Sequence, residues 1–419
     1  MHCHILKDES DFRRDIKFPT FQDICKARSI LAGSIRKTPL HKSDTFSKLT
    51  ESNIYLKLES LQKTGSFKVR GAFVKMNTLS IEQSKHGVIA ASAGNHAQGV
   101  AYAASMKHIP CTIIMPENAS PAKVAATKAY GANVIMRGSN YDEAWKAAEE
   151  IAQEQASVII HAFDDDKIIS GQGTIGLEIL EDLPELDQIY VPIGGGGLAA
   201  GIAIAIKTKK PHVKIIGVES KAFSGMKDSL LKGSLQTVRG DYSIADGISV
   251  KSPGKLPYEI ATKYLDDVVL VDDSSIVKTM FLLMERSKLV VEPAGAASLA
   301  YLISNKNEFK DKKVVSLLSG GNVDMYLLGQ VVAKGLMQMG RMLKIFVQLP
   351  DRPGALKTVI DSIAEMSINI VEVIHDRLSS NISAGTAGVF LSLEMENETH
   401  ANRLINFLKV KETNFRIVS

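Results

Sequence analysis

Short apolar runs alternate with helical stretches along most of this chain, and that alternation limits the fold more than any other feature. Strand-like runs occupy Ile54 to Leu58, Val88 to Ala91, Cys111 to Met115, Ala132 to Met136, Val158 to His161, Ile189 to Ile193, Val213 to Val218 and Val314 to Leu318. Helical spacing falls between them: from Lys68 onward, through Ala97, Val100, Ala101 and Ala104, from Pro121 to Tyr130, from Tyr141 to Gln153 and from Leu198 to Lys207. An amphipathic helix is also predicted from Phe21 to Arg36, broken by Thr38-Pro39. This grammar predicts an α/β chain with parallel sheets covered on both faces. Ligands of such sheets sit beyond the carboxyl ends of the strands. Three strands here run into clusters of Gly, Ser and Asn, at Ser92 to Gly99, Gly194 to Gly197 and Ser319 to Asn322, and the site is expected where those ends meet.

Past Arg341 the pattern changes. Leu343 to Leu349 reads as a strand, and Asp351-Arg352-Pro353-Gly354 turns into a helix with Leu356, Val359, Ile360 and Ile363 on one face. Then come a strand at Ile368 to Val373, a strand with alternating Val389, Leu391, Leu393 and Met395, a helix at His400 to Leu408 and a last strand at Asn414 to Val418. The order is βαββαβ, a ferredoxin-like unit. Two domains are therefore expected, residues 1–340 with two open parallel-sheet subdomains (the smaller at about 60–165) and residues 341–419.

Several function classes drop out on composition. The net charge of +4 with no long basic block argues against nucleic acid. The longest apolar runs, such as Leu198 to Ile206, are too short to span a bilayer, and the charged first residues lack a signal-peptide core. Three scattered cysteines (Cys3, Cys25, Cys111) suit a reducing compartment. A cytoplasmic protein without membrane or nucleic-acid partners is expected. The His2-Cys3-His4 triplet cannot by itself close a tetrahedral site, so no metal is expected there.

The chemistry-bearing residues sit in the strand-end loops and at one helix start. Lys68 lies between Phe67 and Val69, and a lysine next to apolar neighbours is a candidate for the depressed pKa that Schiff-base chemistry requires. Ser92-Ala93-Gly94-Asn95-His96 offers backbone amides at a helix start, suited to a carboxylate, and Asn95 adds a side-chain amide able to reach a phenolic oxygen. Gly194-Gly195-Gly196-Gly197 between strand and helix can close on a phosphate. The same loop fits a dinucleotide fingerprint through Gly195, Gly197 and Ala200, with Glu219 placed as a ribose-binding acid, so a nicotinamide dehydrogenase remains open on this loop alone. A dehydrogenase would not need the second anion cradle and the apolar-flanked lysine as well.

Taken in order, Ser66-Phe67-Lys68-Val69-Arg70-Gly71-Ala72, Ser92 to Gly99, Gly194 to Leu198, Glu292-Pro293-Ala294-Gly295 and Ser319-Gly320-Gly321-Asn322 resemble the threonine/serine dehydratases, a family of fold-type II pyridoxal-phosphate enzymes. The likeness covers about Phe18 to Gly340, and the tail, with Asp351 to Leu356, looks like an ACT regulatory domain. A single such tail is similar to medium-length threonine ammonia-lyases. The resemblance implies pyridoxal 5'-phosphate bonded to Lys68, which also removes the Cα proton. It implies Phe67 against the cofactor ring, Asn95 on its phenolic oxygen, Gly194, Gly195, Gly196, Gly197 and Leu198 around its phosphate, and Ser319 at its ring nitrogen. It implies Ser92, Ala93, Gly94, Asn95 and His96 around the substrate carboxylate.

The implied activity is deamination of L-threonine to 2-oxobutanoate and ammonia, with L-serine slower, in a homo-oligomer regulated by an amino acid, isoleucine being the leading effector. Serine dehydratase and serine racemase are the enzyme alternatives, and an amino-acid sensor is the non-enzyme one. Relatives of racemase character use an acid at the position of Glu219 for a divalent cation, with an aspartate six residues on. Here that later position is Gly225, so no such cation site is expected, and Glu219 reads as a strand-end acid in solvent.

Overall fold

The computed structural model describes residues 18–380, 382–411 and 414–418; the His2-Cys3-His4 triplet and the charged first residues lie outside the described residues. The chain divides between Asp324 and Met325 into two compact units. The first contains ten strands among its described residues: β1 (Leu40–Lys42), β2 (Asn53–Leu58), β3 (Val88–Ala91), β4 (Cys111–Met115), β5 (Asn133–Met136), β6 (Val158–Ile159), β7 (Gln188–Pro192), β8 (Lys214–Ser220), β9 (Asp267–Val271) and β10 (Lys313–Leu318). They form a six-stranded sheet in the order β1-β2-β10-β7-β8-β9 and a four-stranded one in the order β5-β4-β3-β6. Every pairing is parallel except β1 with β2. Parallel strands covered by helices are buried on both faces, which is why β3 and β7 carry nearly unbroken apolar runs.

Two elements end short of the sequence expectation. The first helix ends at Leu31 rather than Arg36, where the chain turns through Gly33 at a φ of 73°. β6 stops at Ile159, because the His161 ring accepts the backbone N–H groups of Phe163 and Asp164 and bends the chain away.

The helix Asp166–Asp182 has no counterpart in the sequence pattern, yet it is buried along most of its length. Its glycines explain both facts. They weaken helix propensity, and in the fold they are where other backbones pass: a Cβ on Gly171 would lie 2.6 Å from the Gly71 Cα, and one on Gly173 2.8 Å from the Gly201 carbonyl. This helix thereby packs against both the Lys68–Met76 helix and the Gly197–Lys209 helix.

The same packing encloses four charges. Arg70 donates to Glu59 at 2.7 and 2.9 Å and to Glu178 at 2.6 and 3.0 Å, while Lys57 donates to Glu178 at 2.5 Å and to the Thr38 carbonyl at 2.7 Å. Burial alone would push Glu59 up, but the Arg70 and Lys57 cations hold it below the ordinary carboxylate value. Two cations and two anions balance, so the set ties β2 and the helices starting at Lys68 and Asp166 together with no unpaired charge.

The second unit contains β11 (Met342–Pro350), β12 (Asn369–Asp376), β13 (Thr386–Glu394) and β14 (Phe415–Ile417), with helices Ala355–Glu365 and Glu398–Val410. The sheet order is β12-β13-β11-β14, antiparallel throughout, so β13 is inserted between β11 and β12 as the split βαβ pattern requires. Ile345, Val347, Leu391, Leu393 and Leu404 form its core. The helix Met325–Gln338 belongs to this unit, so the unit begins ahead of the change of pattern at Arg341. Among the described residues no helix is long and apolar enough to cross a membrane.

Candidate active site

The carboxyl ends of the two sheets of the first unit face a common cavity of about 760 Å³. Phe67, Lys68, Ser92, Ala93, Gly94, Asn95, His96, Gly194, Gly195, Gly196, Gly197, Leu198 and Ser319 all line it, so one chamber gathers every residue that the resemblance implies around cofactor or substrate, whereas Ala200 and Glu219 of the dinucleotide fingerprint do not line it. Each arrives by a different element. Lys68 is the first residue of its helix, Asn95 the first residue of the Asn95–Met106 helix after β3, the glycines join β7 to the Gly197–Lys209 helix, and Ser319 follows β10.

The Lys68 Nζ donates to the Ala162 carbonyl at 2.9 Å and lies 5.3 Å from the centre of the Phe67 ring. Burial pushes its pKa down to about 8, partly opposed by the Glu292 carboxylate. At pH 7 roughly one amine in ten is then neutral, against fewer than about one in a thousand for an ordinary lysine.

The glycine loop is shaped by what surrounds it. A Cβ on Gly195 would fall 2.2 Å from the Phe163 ring, and one on Gly197 2.6 Å from the Phe163 carbonyl, so neither position admits a side chain. Gly196 has φ of 92°, which glycine adopts without strain. The helix beginning at Gly197 has no side-chain cap, so its first backbone N–H groups and its dipole are directed at the cavity. That is an anion site. Behind it, Phe163, His161 and Trp145 stack edge to face at centroid separations of 4.7 and 5.0 Å.

The second helix start is less open than the sequence suggests. The His96 side chain is buried and its Nε2 lies 2.8 Å from the Ile160 carbonyl, which can only accept, so Nε2 carries the proton. Burial and the nearby Lys68 push His96 down to about 3, so the ring is neutral, and its contribution to an anion cradle is its backbone N–H.

Three cavity residues have no role in the sequence reading: Glu292 and Asn322, which lie within its motifs, and Phe163, which lies in none of them. Glu292 is buried, stands immediately before the Pro293–Ser304 helix with no side-chain bond to its first turn, and has its pKa pushed up to about 7 by burial, against the stabilising Asn95 hydrogen bond. Asn322 donates to the Asn95 Oδ1 at 2.7 Å, and Phe163 backs the glycine loop. The signal for Glu292 and Asn322 lay in Glu-Pro opening a helix and in the amide closing Ser319 to Asn322, but what they touch depends on segments far apart in the chain.

Glu219 requires a correction. It is buried, not solvated, and its carboxylate accepts the Met226 and Lys227 backbone N–H groups at 2.8 and 2.9 Å, closing the start of the Gly225–Lys232 helix. Occupied in this way, it cannot serve as the ribose acid of a dinucleotide fingerprint. At the cavity mouth, Lys123 pairs with Asp246 at 2.7 Å and Lys251 with Asp142 at 3.7 Å, each bridging the two sheet layers.

A buried, partly neutral lysine amine facing an uncapped helix start across a chamber is the equipment for holding a phosphorylated aldehyde, and the chain belongs to the pyridoxal-phosphate dependent enzyme family, whose model matches residues 31–320. Among its relatives, an L-threonine ammonia-lyase of Thermotoga maritima is 44% identical over 401 residues, a match covering 95% of this chain and 99% of that one. Solved structures similar to the chain include maize serine racemase (35% identity, TM-score 0.72, covering 77% of this chain and 99% of that one). The processed threonine deaminase isoform 2 of Solanum lycopersicum is similar to the same degree (33% identity, TM-score 0.72, 76% and 87% covered).

Proposed function

We propose that this protein is an L-threonine ammonia-lyase dependent on pyridoxal 5'-phosphate. The observation that carries the reading is the Lys68 amine, held partly neutral by burial in a chamber that also contains two uncapped helix starts. The residues fit the cofactor: a glycine cradle that a Cβ would fill for the phosphate, Lys68 for the aldehyde carbon, Phe67 beside the ring, Asn95 for the phenolic oxygen and the Ser319 hydroxyl for the ring nitrogen. When bound, the cofactor supplies a conjugated ring that takes up the electron pair left at the substrate's Cα.

The chain's own residues do the rest. The backbone N–H groups of Ala93, Asn95 and His96 orient the substrate carboxylate, those of Ser92 and Gly94 being spent on the Ile114 carbonyl and the Ser92 hydroxyl, and this fixes the Cα–H bond relative to the lysine. Lys68 Nζ removes the Cα proton, and its lowered pKa leaves enough neutral amine near pH 7 to act as that base. Ser319 accepts or donates one hydrogen bond but carries no charge, so unlike a carboxylate it does not hold the ring nitrogen as a cation. Charge at Cα is then short-lived, which favours prompt loss of the β-hydroxyl over transamination. One C–H and one C–O bond break, water leaves, and water later replaces the amino nitrogen, giving 2-oxobutanoate and ammonia.

Regulation through the second unit belongs to the same reading: its ferredoxin-like topology suits an ACT-type effector domain, with isoleucine as the effector. A homo-oligomer in the cytoplasm completes it. Incubation of the cofactor-loaded protein with L-threonine and L-serine, with hydrazine trapping of the 2-oxo acid, tests the activity. The expected result is faster release of 2-oxobutanoate than of pyruvate, and none from Lys68→Ala. Conversion of L-serine to D-serine without 2-oxo acid would instead mark a racemase.

A further inference from the structure

One side-chain amide in the chamber is held from both ends. The Asn95 Nδ2 donates to the two oxygens of Glu292 at 2.7 and 2.9 Å, and its Oδ1 accepts from the Asn322 Nδ2 at 2.7 Å. The orientation is dictated rather than chosen. The Thr64 carbonyl can only accept, so Asn322 must present its nitrogen there, at 2.8 Å, and offers the same group to Asn95. The nitrogen of Asn95 is left to face Glu292. Two oxygens of one carboxylate lie too close together to take two diverging N–H bonds, so one N–H serves both and the other stays free.

Glu292 itself is locked in place. Its backbone N–H donates to the Gly320 carbonyl at 3.0 Å, and a Cβ on Gly320 would fall 2.3 Å from its Oε1 and 3.1 Å from the Asn95 Nδ2. Four chain segments, around Thr64, Asn95, Glu292 and Asn322, thus converge on a single amide, and Asn95, Glu292 and Asn322 all line the chamber.

We infer that Glu292 is a positioning residue: with Asn322 as its counterpart, it fixes the Asn95 amide so that the free N–H addresses the phenolic oxygen of the bound cofactor. The inference rests on the assignment of Asn95 to that oxygen, made above. Glu292 is thus assigned no contact with the substrate.

The test titrates pyridoxal 5'-phosphate into the apoproteins of the wild type, Glu292→Ala, Glu292→Gln and Asn95→Ala. Two quantities are read: the cofactor dissociation constant, and the circular dichroism of the visible band per bound cofactor, which reports how rigidly the ring is oriented. Loss of a hydrogen bond to a charged group predicts that Glu292→Ala weakens binding about tenfold or more and at least halves the dichroic band. Glu292→Gln, whose Oε1 still accepts from Asn95, stays within about threefold of the wild type, half a decade or less. Wild-type affinity and dichroism in Glu292→Ala, or equal damage in Glu292→Ala and Glu292→Gln, would overturn the proposal. Asn95→Ala separates the two levels: if it too behaves as the wild type, the assignment of Asn95 itself fails. If only Asn95→Ala is impaired, the assignment survives and the role of Glu292 does not. Should Glu292→Ala not fold, Gly320→Ala presses on the same contact from the far side and is expected to give the same pair of losses.

Discussion

Lys68 and Arg70 stand two residues apart and do opposite work with their charge. Lys68 has no ion pair among the described residues and is pushed by burial toward the neutral form, only partly opposed by Glu292, whereas Arg70 is enclosed by Glu59 and Glu178 and remains a cation at any accessible pH. The first is a buried, partly neutral amine, proposed above as the base, and the second an anchor for the helix that carries it. Removing one member of a buried ion set leaves an uncompensated charge, so Arg70→Ala is expected to destabilise the protein by about 3–5 kcal/mol. Arg70→Lys keeps the charge but cannot make the forked contacts, and should lose less. Urea unfolding midpoints check the ranking, and equal midpoints for the two variants would contradict it. The burial of the Lys68 amine was legible in the sequence because its apolar neighbours are adjacent in the chain. The partner of Asn95 was not, because Glu292 lies 197 residues away and nothing local distinguishes a carboxylate that caps its own helix from one that holds another side chain.

At the scale of elements, the strand β8 and the Gly225–Lys232 helix are joined through Glu219, and this joint depends on pH. The folded-state value is lifted by burial to about 7 from the ordinary 4.5, despite the two backbone hydrogen bonds. Between those values the folded state holds a proton that the unfolded state has released, so the contribution to stability is complete below about 4.5 and is lost as pH rises through about 7. Glu292 has the same sign and window. Glu219→Gln keeps an acceptor for the helix start and does not ionise, so its unfolding free energy should fall less between pH 5 and pH 8 than that of the wild type. The slope should shrink without vanishing while Glu292 remains. Elements themselves were legible where periodicity was strong, as in β3, β4, β7 and their following helices. The helix Asp166–Asp182 was hidden because the glycines that let it pass Gly71 and Gly201 are the residues that erase a helical signature.

Over the whole molecule, every residue proposed to touch cofactor or substrate precedes Met325, within the first compact unit. A chain ending at Asp324 is therefore expected to retain deamination of threonine while losing any response to isoleucine, measured as initial rate with and without the amino acid. An unchanged response in the shortened chain would remove the regulatory role from residues 325–419. The two-unit plan was legible from the change in grammar, but the helix Met325–Gln338 was not assignable, since an apolar helix face does not say which core it covers. Trp145 adds a practical consequence: it is the one tryptophan of the chain, and it lies against His161, which lies against Phe163 beneath the glycine cradle. The indole is thus a built-in optical gauge, whose ultraviolet emission should dim by energy transfer as a yellow cofactor settles, so that loading of each molecule can be followed in real time without a label or a substrate.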